Sequence, residues 1–305
     1  NMPLISSNME CVTGYDMAVA MARMGGGGVI PQFMDPYEQA VIVQKIKELQ
    51  VIKVHSSDFD KNISIRSKED IIYEPALDKN GRLLVGAAIG VKEENIDRAK
   101  KLIDAGVDFI TLDIAHGHSD KMIEQIKQLR KVFQKTPLIA GNVVTPKGAY
   151  ELCEAGVDAL KVGVGPGAAC TTRLITGYGV PQITSIYDTQ VIAREFGVKI
   201  MADGGIKYSG DMVKALAASA DTIMLGSLLA ATDKSNNFED RALQRDNNRN
   251  PVFVEYYGSA SEHSKKNQAR GAYDTPEGRI TQLEYLGDTY LLLSRFITGM
   301  KSGES

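Results

Sequence analysis

The feature that most constrains the fold of this chain is a repeated alternation of short apolar segments with stretches of helical periodicity. Eight apolar segments have the near-continuous hydrophobic character of strands buried on both faces of a parallel sheet. In chain order they are Met2–Ser6, Gly27–Ile30, Leu83–Ala88, Asp108–Leu112, Pro137–Ala140, Ala159–Val162, Lys199–Ala202 and Asp221–Leu225. Helical stretches between them end in small-residue turns such as Ala105–Asp108, where glycine stops a helix before a strand. Eight consecutive β-α units predict an α/β fold closed into a (β/α)8 barrel, a TIM barrel.

Length and charge narrow the possible partners. The chain has 305 residues and a formal net charge of −3. A barrel commonly occupies such a length as one domain, so we expect a single catalytic barrel over residues 1–305. The charge gives no general attraction to nucleic acid or to an anionic membrane, and no apolar run approaches the ~20 residues that span a bilayer. We therefore expect neither nucleic acid nor membrane as a partner.

The number and spacing of the cysteines indicate a reducing cellular compartment and not a fold held together by disulfides. Cys11, Cys153 and Cys170 are widely spaced, odd in number and without a CxxC pair. This pattern argues against disulfide cross-links and against a zinc site. Together with the lack of a visible signal peptide, it predicts a reducing, cytoplasmic location. We interpret Cys11 and Cys153 as small buried hydrophobes.

The third cysteine follows a glycine-rich turn. Residues 161–173 read Lys-Val-Gly-Val-Gly-Pro-Gly-Ala-Ala-Cys-Thr-Thr-Arg and continue from the sixth strand. Gly163, Gly165 and Gly167 permit positive φ and close backbone approach. A thiol on this loop, beside hydroxyls and Arg173, is a candidate nucleophile because nearby positive charge and N–H groups favour the thiolate. The alternative is a tight turn that contains a small buried cysteine.

Glycine-rich turns also follow the seventh and eighth strands. Backbone N–H groups at Gly204 and Gly205, and at Gly226 and Ser227, suit the phosphate site of a barrel. The carboxylate of Asp203, just before the first pair, suits ribose hydroxyls. The alternative is that these glycines only turn the chain.

Two further strand ends carry polar side chains. Asp113 begins the sequence Asp-Ile-Ala-His-Gly-His after the fourth strand, and Asn142 follows the fifth. Histidines at i and i+2 suggest a metal, but no third ligand has suitable spacing nearby, so a metal is disfavoured. We expect Asn142 to face a ligand rather than the core.

Two segments interrupt the β-α rhythm. Residues 50–81 are too long for a simple connection between the second helix and the third strand. Residues 232–280, after the eighth strand, are rich in Asn, Lys, Arg, Glu and Gly. A charged excursion is usually a solvated loop, but on the catalytic face of a barrel it can also be a lid.

Several of these motifs closely resemble one known family. Gly163–Arg173, Gly179–Thr184, Ala202–Gly205 and Met224–Ser227 are similar to the motifs of the IMP dehydrogenase/GMP reductase family. The resemblance covers nearly the whole chain. It implies a purine-nucleotide oxidoreductase in which Cys170 attacks C2 of the base and a nicotinamide cofactor exchanges a hydride with that carbon.

The resemblance also implies a potassium ion near the backbone carbonyls of Gly163, Gly165 and Cys170, and a homotetrameric assembly. Many family members carry a pair of CBS domains between the second helix and the third strand, and with this pair the assembly would be an octamer. Residues 50–81 are then the linker at that insertion point, with the CBS pair naturally absent or deleted. Residues 232–280 are then the flap.

Within the family, the flap separates two activities. The dehydrogenase uses an adjacent Arg-Tyr pair to activate water, and no Arg-Tyr dipeptide occurs in this chain. Residues 256–262, and the spacing from Tyr273 to Glu277, resemble the reductase. The resemblance therefore favours an NADPH-dependent GMP reductase that releases IMP and ammonia, with IMP dehydrogenase and NAD as the alternative. A second alternative is a non-catalytic nucleotide-binding barrel, since Ala168 stands where the family usually has a phosphate-binding serine.

The resemblance assigns a role to each candidate site residue. Cys170 is the nucleophile, while Thr172 and Glu277 relay a proton to the departing amine. Met9, Asp113 and Asn142 position the cofactor and the covalent intermediate. The residues expected to bind the substrate are Asp203, Gly204, Gly205, Gly226, Ser227, Tyr257, Gly258, Ser259, Ser261 and Arg173.

Overall fold

The barrel is closed and its strands are parallel. The computed structural model of the chain describes residues 2–60, 70–247, 251–258 and 279–304. The barrel strands are β1 (Leu4–Ser6), β2 (Gly27–Ile30), β5 (Val85–Ile89), β6 (Phe109–Asp113), β7 (Leu138–Val143), β8 (Ala159–Val162), β9 (Lys199–Asp203) and β10 (Thr222–Leu225). Each pairs in parallel with its neighbours in the order β1-β10-β9-β8-β7-β6-β5-β2. The predicted (β/α)8 barrel is confirmed.

Helices pack around the outside of the barrel and begin and end at ordinary signals. Asp35 accepts the N–H groups of Tyr37 and Glu38 at the start of α2 (Pro36–Lys47), which has Pro36 in its first turn. Gly156 ends α5 (Pro146–Ala155) with a positive φ of 105°. The helices are α1 (Tyr15–Arg23), α2 (Pro36–Lys47), α3 (Asn95–Asp104), α4 (Asp120–Val132), α5 (Pro146–Ala155), α6 (Thr172–Ile175), α7 (Gln182–Phe196), α8 (Ser209–Ala217), α9 (Ser227–Ala230), α10 (Phe238–Arg241) and α11 (Thr289–Glu304). None of these described helices has both the length and the apolar character to cross a bilayer.

The barrel interior is filled by side chains rather than open. One layer is a separate apolar cluster made of Ile5, Val29, Ala88, Phe109, Ile139, Met201 and Met224. Gly86 leaves space for the Phe109 ring, because a Cβ at this position would overlap it. Above this layer, toward the carboxyl ends of the strands, the interior becomes polar around Lys161. This apolar layer therefore limits how deep a cavity at that end of the barrel can be.

The two excursions contain additional secondary structure. In residues 50–81, β3 (Val54–His55) and β4 (Ile72–Tyr73) pair antiparallel. This ribbon contacts α11, since the ring of Phe59 stacks on that of Tyr290 and the hydroxyls of Tyr73 and Ser294 lie 2.7 Å apart.

In residues 232–280, α10 precedes an antiparallel sheet of β11 (Ala242–Arg245), β12 (Pro251–Tyr257) and β13 (Ile280–Glu284). This sheet returns the chain to α11. The assignments of a CBS insertion point and of a flap stay predictions.

Candidate active site

A cavity of about 250 Å³ lies at the carboxyl ends of the barrel strands. The loops after β1, β2, β6, β7, β8, β9 and β10 line it, and the end of β12 covers one side. In a barrel this end collects the loops that can vary without disturbing the strand core. The cavity is therefore the candidate active site.

The loop after β8 places a thiol in the cavity wall. Gly163 adopts φ +146°, and a Cβ there would overlap the carbonyl of Asp203, so only glycine lets the loop leave β8 against β9. The Cys170 N–H donates to the Gly167 carbonyl at 3.0 Å. Its Sγ lies 3.2 Å from Thr172 Oγ1. Cys170 thus lines the cavity and is not buried in a tight turn of the core, which was the alternative.

The other two cysteines are removed from solvent. Cys11 is fully buried and its thiol donates to the Tyr257 carbonyl at 3.2 Å, while Cys153 is 5 % exposed. Burial raises the pKa of each thiol to about 11. Cys170, half-buried, is the accessible thiol of the three.

Glycine turns after β9 and β10 face the thiol loop. Gly204 and Gly205 adopt φ +96° and +81°, and a Cβ on either would lie 3.1–3.2 Å from the ring of Pro166 in the thiol loop. Gly226 and Ser227 follow β10 and line the same cavity. Exposed backbone N–H groups on such turns suit an anionic group.

A buried lysine connects two carboxylates on the cavity floor. Lys161 is 3 % exposed, and its Nζ lies 2.5 Å from Asp203 Oδ2 and 3.1 Å from Asp113 Oδ1. Burial disfavours the charged ammonium, but the attraction of the two carboxylates outweighs it and raises the pKa of Lys161. Gly141 makes room for this arrangement, since a Cβ there would lie 2.7 Å from Lys161 Cβ.

Two asparagines complete the network. Asn8 Nδ2 donates to Asp113 Oδ2 at 2.6 Å, and Asn142 Nδ2 donates to Asp203 Oδ2 at 2.9 Å and to the Gly163 carbonyl at 2.6 Å. Asn142 Oδ1 is buried and has no hydrogen-bond partner within the described ranges. A buried acceptor without a donor at the edge of a cavity is suited to a ligand N–H.

Comparison with known proteins decides the family. The model of the IMP dehydrogenase / GMP reductase domain matches residues 1–305. The chain belongs to the IMP dehydrogenase/GMP reductase family. The family resemblance inferred from the motifs is thereby confirmed.

Three similar proteins share one name. An inosine-5'-monophosphate dehydrogenase from Cryptosporidium parvum is 40 % identical over 320 residues, covering 98 % of this chain and 78 % of the relative. The protein of that name from Staphylococcus saprophyticus is 41 % identical over 276 residues and 88 % of this chain. This chain spans 56 % of the length of that relative. One from Staphylococcus aureus is 32 % identical over 402 residues, covering 99 % of this chain and 82 % of the relative.

Most of the residues expected from the family motifs lie together. The lining includes Cys170, Thr172, Asp203, Gly204, Gly205, Gly226, Ser227, Gly258, Met9, Asp113, Asn142, Gly163 and Gly165. Arg173 and Tyr257 do not line the cavity. Ser259, Ser261 and Glu277 lie outside the described residues.

Tyr256 and Lys161 are among the lining residues that the sequence analysis did not assign to the site. Tyr256 is 4 % exposed, its hydroxyl donates to Met9 Sδ at 3.6 Å, and a Cβ on Gly226 would lie 3.1 Å from that hydroxyl. Burial raises the pKa of Tyr256, so it stays a neutral donor. For Lys161, a lysine inside an otherwise apolar strand was the signal available.

The histidines after β6 have a contact of their own. His118 Nε2 lies 2.9 Å from Glu151 Oε2 on α5, and its Cβ would be 3.2 Å from a Cβ on Gly148. This pair connects the loop after β6 to the neighbouring helix. The residues of this loop that line the cavity are Ile114 and Ala115, which come just before the histidines.

A potassium ion at the thiol loop would depend on main-chain oxygens. In the described part of the chain, no three His, Cys, Asp or Glu side chains are grouped to hold a metal. Of the three carbonyls assigned to the ion, that of Gly163 already accepts the Asn142 amide. The ion would therefore share this oxygen, and the potassium site stays a prediction.

Proposed function

We propose that this chain oxidises IMP to XMP with NAD, through a covalent bond between Cys170 and C2 of the purine. The observation that carries the proposal is an accessible thiol in the cavity of a barrel that is similar to proteins named inosine-5'-monophosphate dehydrogenase. This similarity favours the dehydrogenase, which the sequence analysis gave as the alternative, over GMP reductase, whose support was the flap segment.

The glycine turns and Tyr256 are suited to the nucleotide phosphate. Gly204, Gly205 and Gly226 present backbone at the cavity, with the Ser227 hydroxyl beside them. Asp203 uses Oδ2 for Lys161 and Asn142, which leaves Oδ1 for ribose hydroxyls. These contacts would direct the base toward the thiol loop.

The thiolate of Cys170 adds to C2 of IMP in the first step, and the hydride at C2 departs. A nicotinamide dinucleotide, when bound, accepts this hydride. Asn142 Oδ1 fits a carboxamide N–H, because it is a buried acceptor without a partner in the described residues. Asp113, held by Lys161 and Asn8, and Met9 line the same cavity.

Water then attacks C2 of the thioester-like intermediate, and the C2–S bond breaks to release XMP. The water loses one proton, and the thiolate of Cys170 is restored. Thr172, with Oγ1 at 3.2 Å from Sγ, is placed to relay that proton. Glu277 is the proposed partner in the relay.

GMP reductase is the second candidate, because residues 256–262 resemble the reductase and the chain has no Arg-Tyr dipeptide. In this direction Cys170 adds to C2 of GMP and the protonated amine departs as ammonia. A bound NADPH would supply the hydride that C2 takes up, and the C2–S bond would break to release IMP and restore the thiolate of Cys170. Thr172 and Glu277 would then protonate the amine.

A two-substrate assay separates these candidates. Purified protein is incubated with IMP and NAD, or with GMP and NADPH, in KCl or NaCl, and the nicotinamide absorbance is followed. We expect absorbance to rise with IMP and NAD, faster in KCl, and to be abolished in Cys170→Ala. Turnover only with GMP and NADPH would favour the reductase. Nucleotide binding without either turnover would support a non-catalytic barrel.

We further propose that the protein is a cytoplasmic homotetramer. Family membership supports this assembly, and an octamer would require an additional CBS pair. Light scattering during size-exclusion chromatography measures the mass directly. A monomer at micromolar concentration would contradict the proposed tetramer.

A further inference from the structure

The loop that carries Cys170 leaves the barrel and returns to it at neighbouring points. The N–H of Val180 donates to the carbonyl of Val164 at 3.2 Å, which closes the base of the loop. Cys170 lies between these two residues in the sequence. Gln182 Nε2 also donates to the Val162 carbonyl at 2.7 Å at this base. The position of Cys170 in the cavity therefore depends on what holds the two arms of the loop together above these bonds.

Arg173 lies between the two arms, in a slot made by two glycines. Gly165 has φ +95° and Gly179 has φ +146°. A Cβ on Gly165 would lie 2.6 Å from Arg173 Nε, and one on Gly179 would lie 2.6 Å from Arg173 Cγ. Neither position accepts a side chain while the arginine is in place.

The guanidinium is also bonded to the returning arm. Arg173 Nη2 donates to the Val180 carbonyl at 2.8 Å, so the N–H and the carbonyl of Val180 are both engaged in holding the loop. Arg173 does not line the cavity, whereas Cys170 and Thr172 do. The Arg173 side chain thus contacts the backbone of the loop and not the cavity where a nucleotide would bind.

We propose that Arg173 is a positioning residue that fixes the Cys170 loop, and not a ligand of the substrate. This replaces the substrate-binding role expected from its place in the motif. A thiol must approach a purine carbon along a narrow path, so a displacement of about 1 Å can cost about 100-fold in rate. The kinetic part of the inference rests on the proposed function, whereas its structural part does not.

Four variants test the proposal in the full chain. Arg173→Ala empties the slot, Arg173→Lys keeps a long stem and a donor, and Gly179→Ala obstructs the slot. Gly177→Ala is the matched control, because Gly177 lies in the same loop at φ +76° with nothing within 4 Å of a Cβ. It introduces backbone strain without touching Arg173.

We expect Arg173→Ala and Gly179→Ala to lower kcat by about 30-fold, within the range for a displaced reacting group. Their affinity for IMP, measured by calorimetry, should stay within about threefold of the wild type, since no contact with the nucleotide is removed. Arg173→Lys should recover most of kcat, and Gly177→Ala should resemble the wild type. Loss of IMP affinity with an unchanged kcat would make Arg173 a substrate ligand and overturn the proposal.

Hydrogen exchange gives a readout that needs no turnover. The Val180 amide should exchange faster in Arg173→Ala and Gly179→Ala than in Gly177→Ala, with thermal unfolding confirming that each variant is folded. Unchanged exchange in all variants would also overturn the proposal. If the wild type turns over neither substrate pair, the proposed function fails, but this measurement still tests the role of Arg173.

Discussion

The two ends of the barrel each bury a lysine between two aspartates, and strand β6 contributes to both. At the amino end, Lys47 Nζ contacts Asp108 at 2.5 Å and Asp78 at 3.1 Å. At the carboxyl end, Lys161 contacts Asp203 and Asp113 at the same two distances. Asp108 directly precedes β6 and Asp113 ends it.

The two clusters differ in how completely their atoms are used. Lys47 donates a third bond to the Leu83 carbonyl, and Asp78 accepts the N–H groups of Asn80 and Arg82. The amino-end carboxylates of Asp78 and Asp108 are 8 % and 14 % exposed, against 20 % for each carboxylate at the carboxyl end. The amino-end cluster thus receives more hydrogen bonds from the protein and is less exposed, with Arg82 as a further charged partner of Asp78 at 2.9 Å. The carboxylates of the second cluster line the cavity. We therefore expect the lysine and its two aspartates to stabilise the fold at the amino end and to serve binding at the carboxyl end.

Lys47→Met is the largest expected change at the amino end. Removing this ammonium leaves the buried Asp108 without its charged partner and leaves Asp78 with Arg82 as its remaining cation, which costs about 3–5 kcal/mol of folding free energy. Urea unfolding should measure that loss, while kcat/KM per folded molecule stays within about twofold because the cavity is at the opposite end. A large loss of activity in molecules that remain folded would contradict the division between the two ends.

Lys161→Met is the reciprocal experiment. We expect kcat/KM for IMP to fall by about 100-fold, since Asp203 and Asp113 lose the charge that fixes them. The loss of stability should be smaller than in Lys47→Met, because both carboxylates reach the cavity and can be solvated. Steady-state kinetics and urea unfolding should be measured on Lys47→Met and Lys161→Met together. Equal losses of kcat/KM in the two variants would contradict the functional difference between the two ends of the barrel.

Acid titration gives the smallest expected difference. Burial raises the pKa of Asp78, but the N–H groups of Arg82 and Asn80, with Lys47, outweigh it and hold that pKa below the ordinary value of 3.8. A carboxyl with a lowered pKa stabilises the fold above its unfolded-state value and loses this contribution as pH falls. Thermal unfolding from about pH 6 to pH 3 should therefore show a steeper loss in wild type than in Asp78→Asn. Parallel curves would mean that Asp78 makes no such contribution.

The fold and much of the cavity follow from local patterns in the sequence. The eight apolar strands are each followed by a polar or glycine-rich turn, and parallel strands bring such turns to one end of a barrel. Asp113, Asn142, Cys170 and Asp203 were accessible to this argument because each comes at or just after a strand end.

The residues that escaped prediction depend on tertiary context. Neighbouring residues of a strand point to opposite sides. Predicting whether Tyr256 or Tyr257 lines the cavity therefore requires knowing which face of β12 is turned toward it. That strand lies in a segment interpreted only as a charged excursion. Lys161 has its two partners on other strands, so its role is not local in sequence. Arg173 follows Cys170 closely, but the folded loop turns it toward Gly165 and away from the cavity.

The ribbon of β3 and β4 has a consequence for how this barrel can change in evolution. Asp70 accepts the Ser57 N–H at 2.9 Å, so the chain before residue 61 and after residue 69 is fastened side by side on the surface. Phe59 and Tyr73 anchor both arms to α11. We therefore expect that a change in the length of the chain between these two arms leaves the paths of the barrel strands unaltered. The predicted insertion point would then be free to vary independently of the residues that line the cavity.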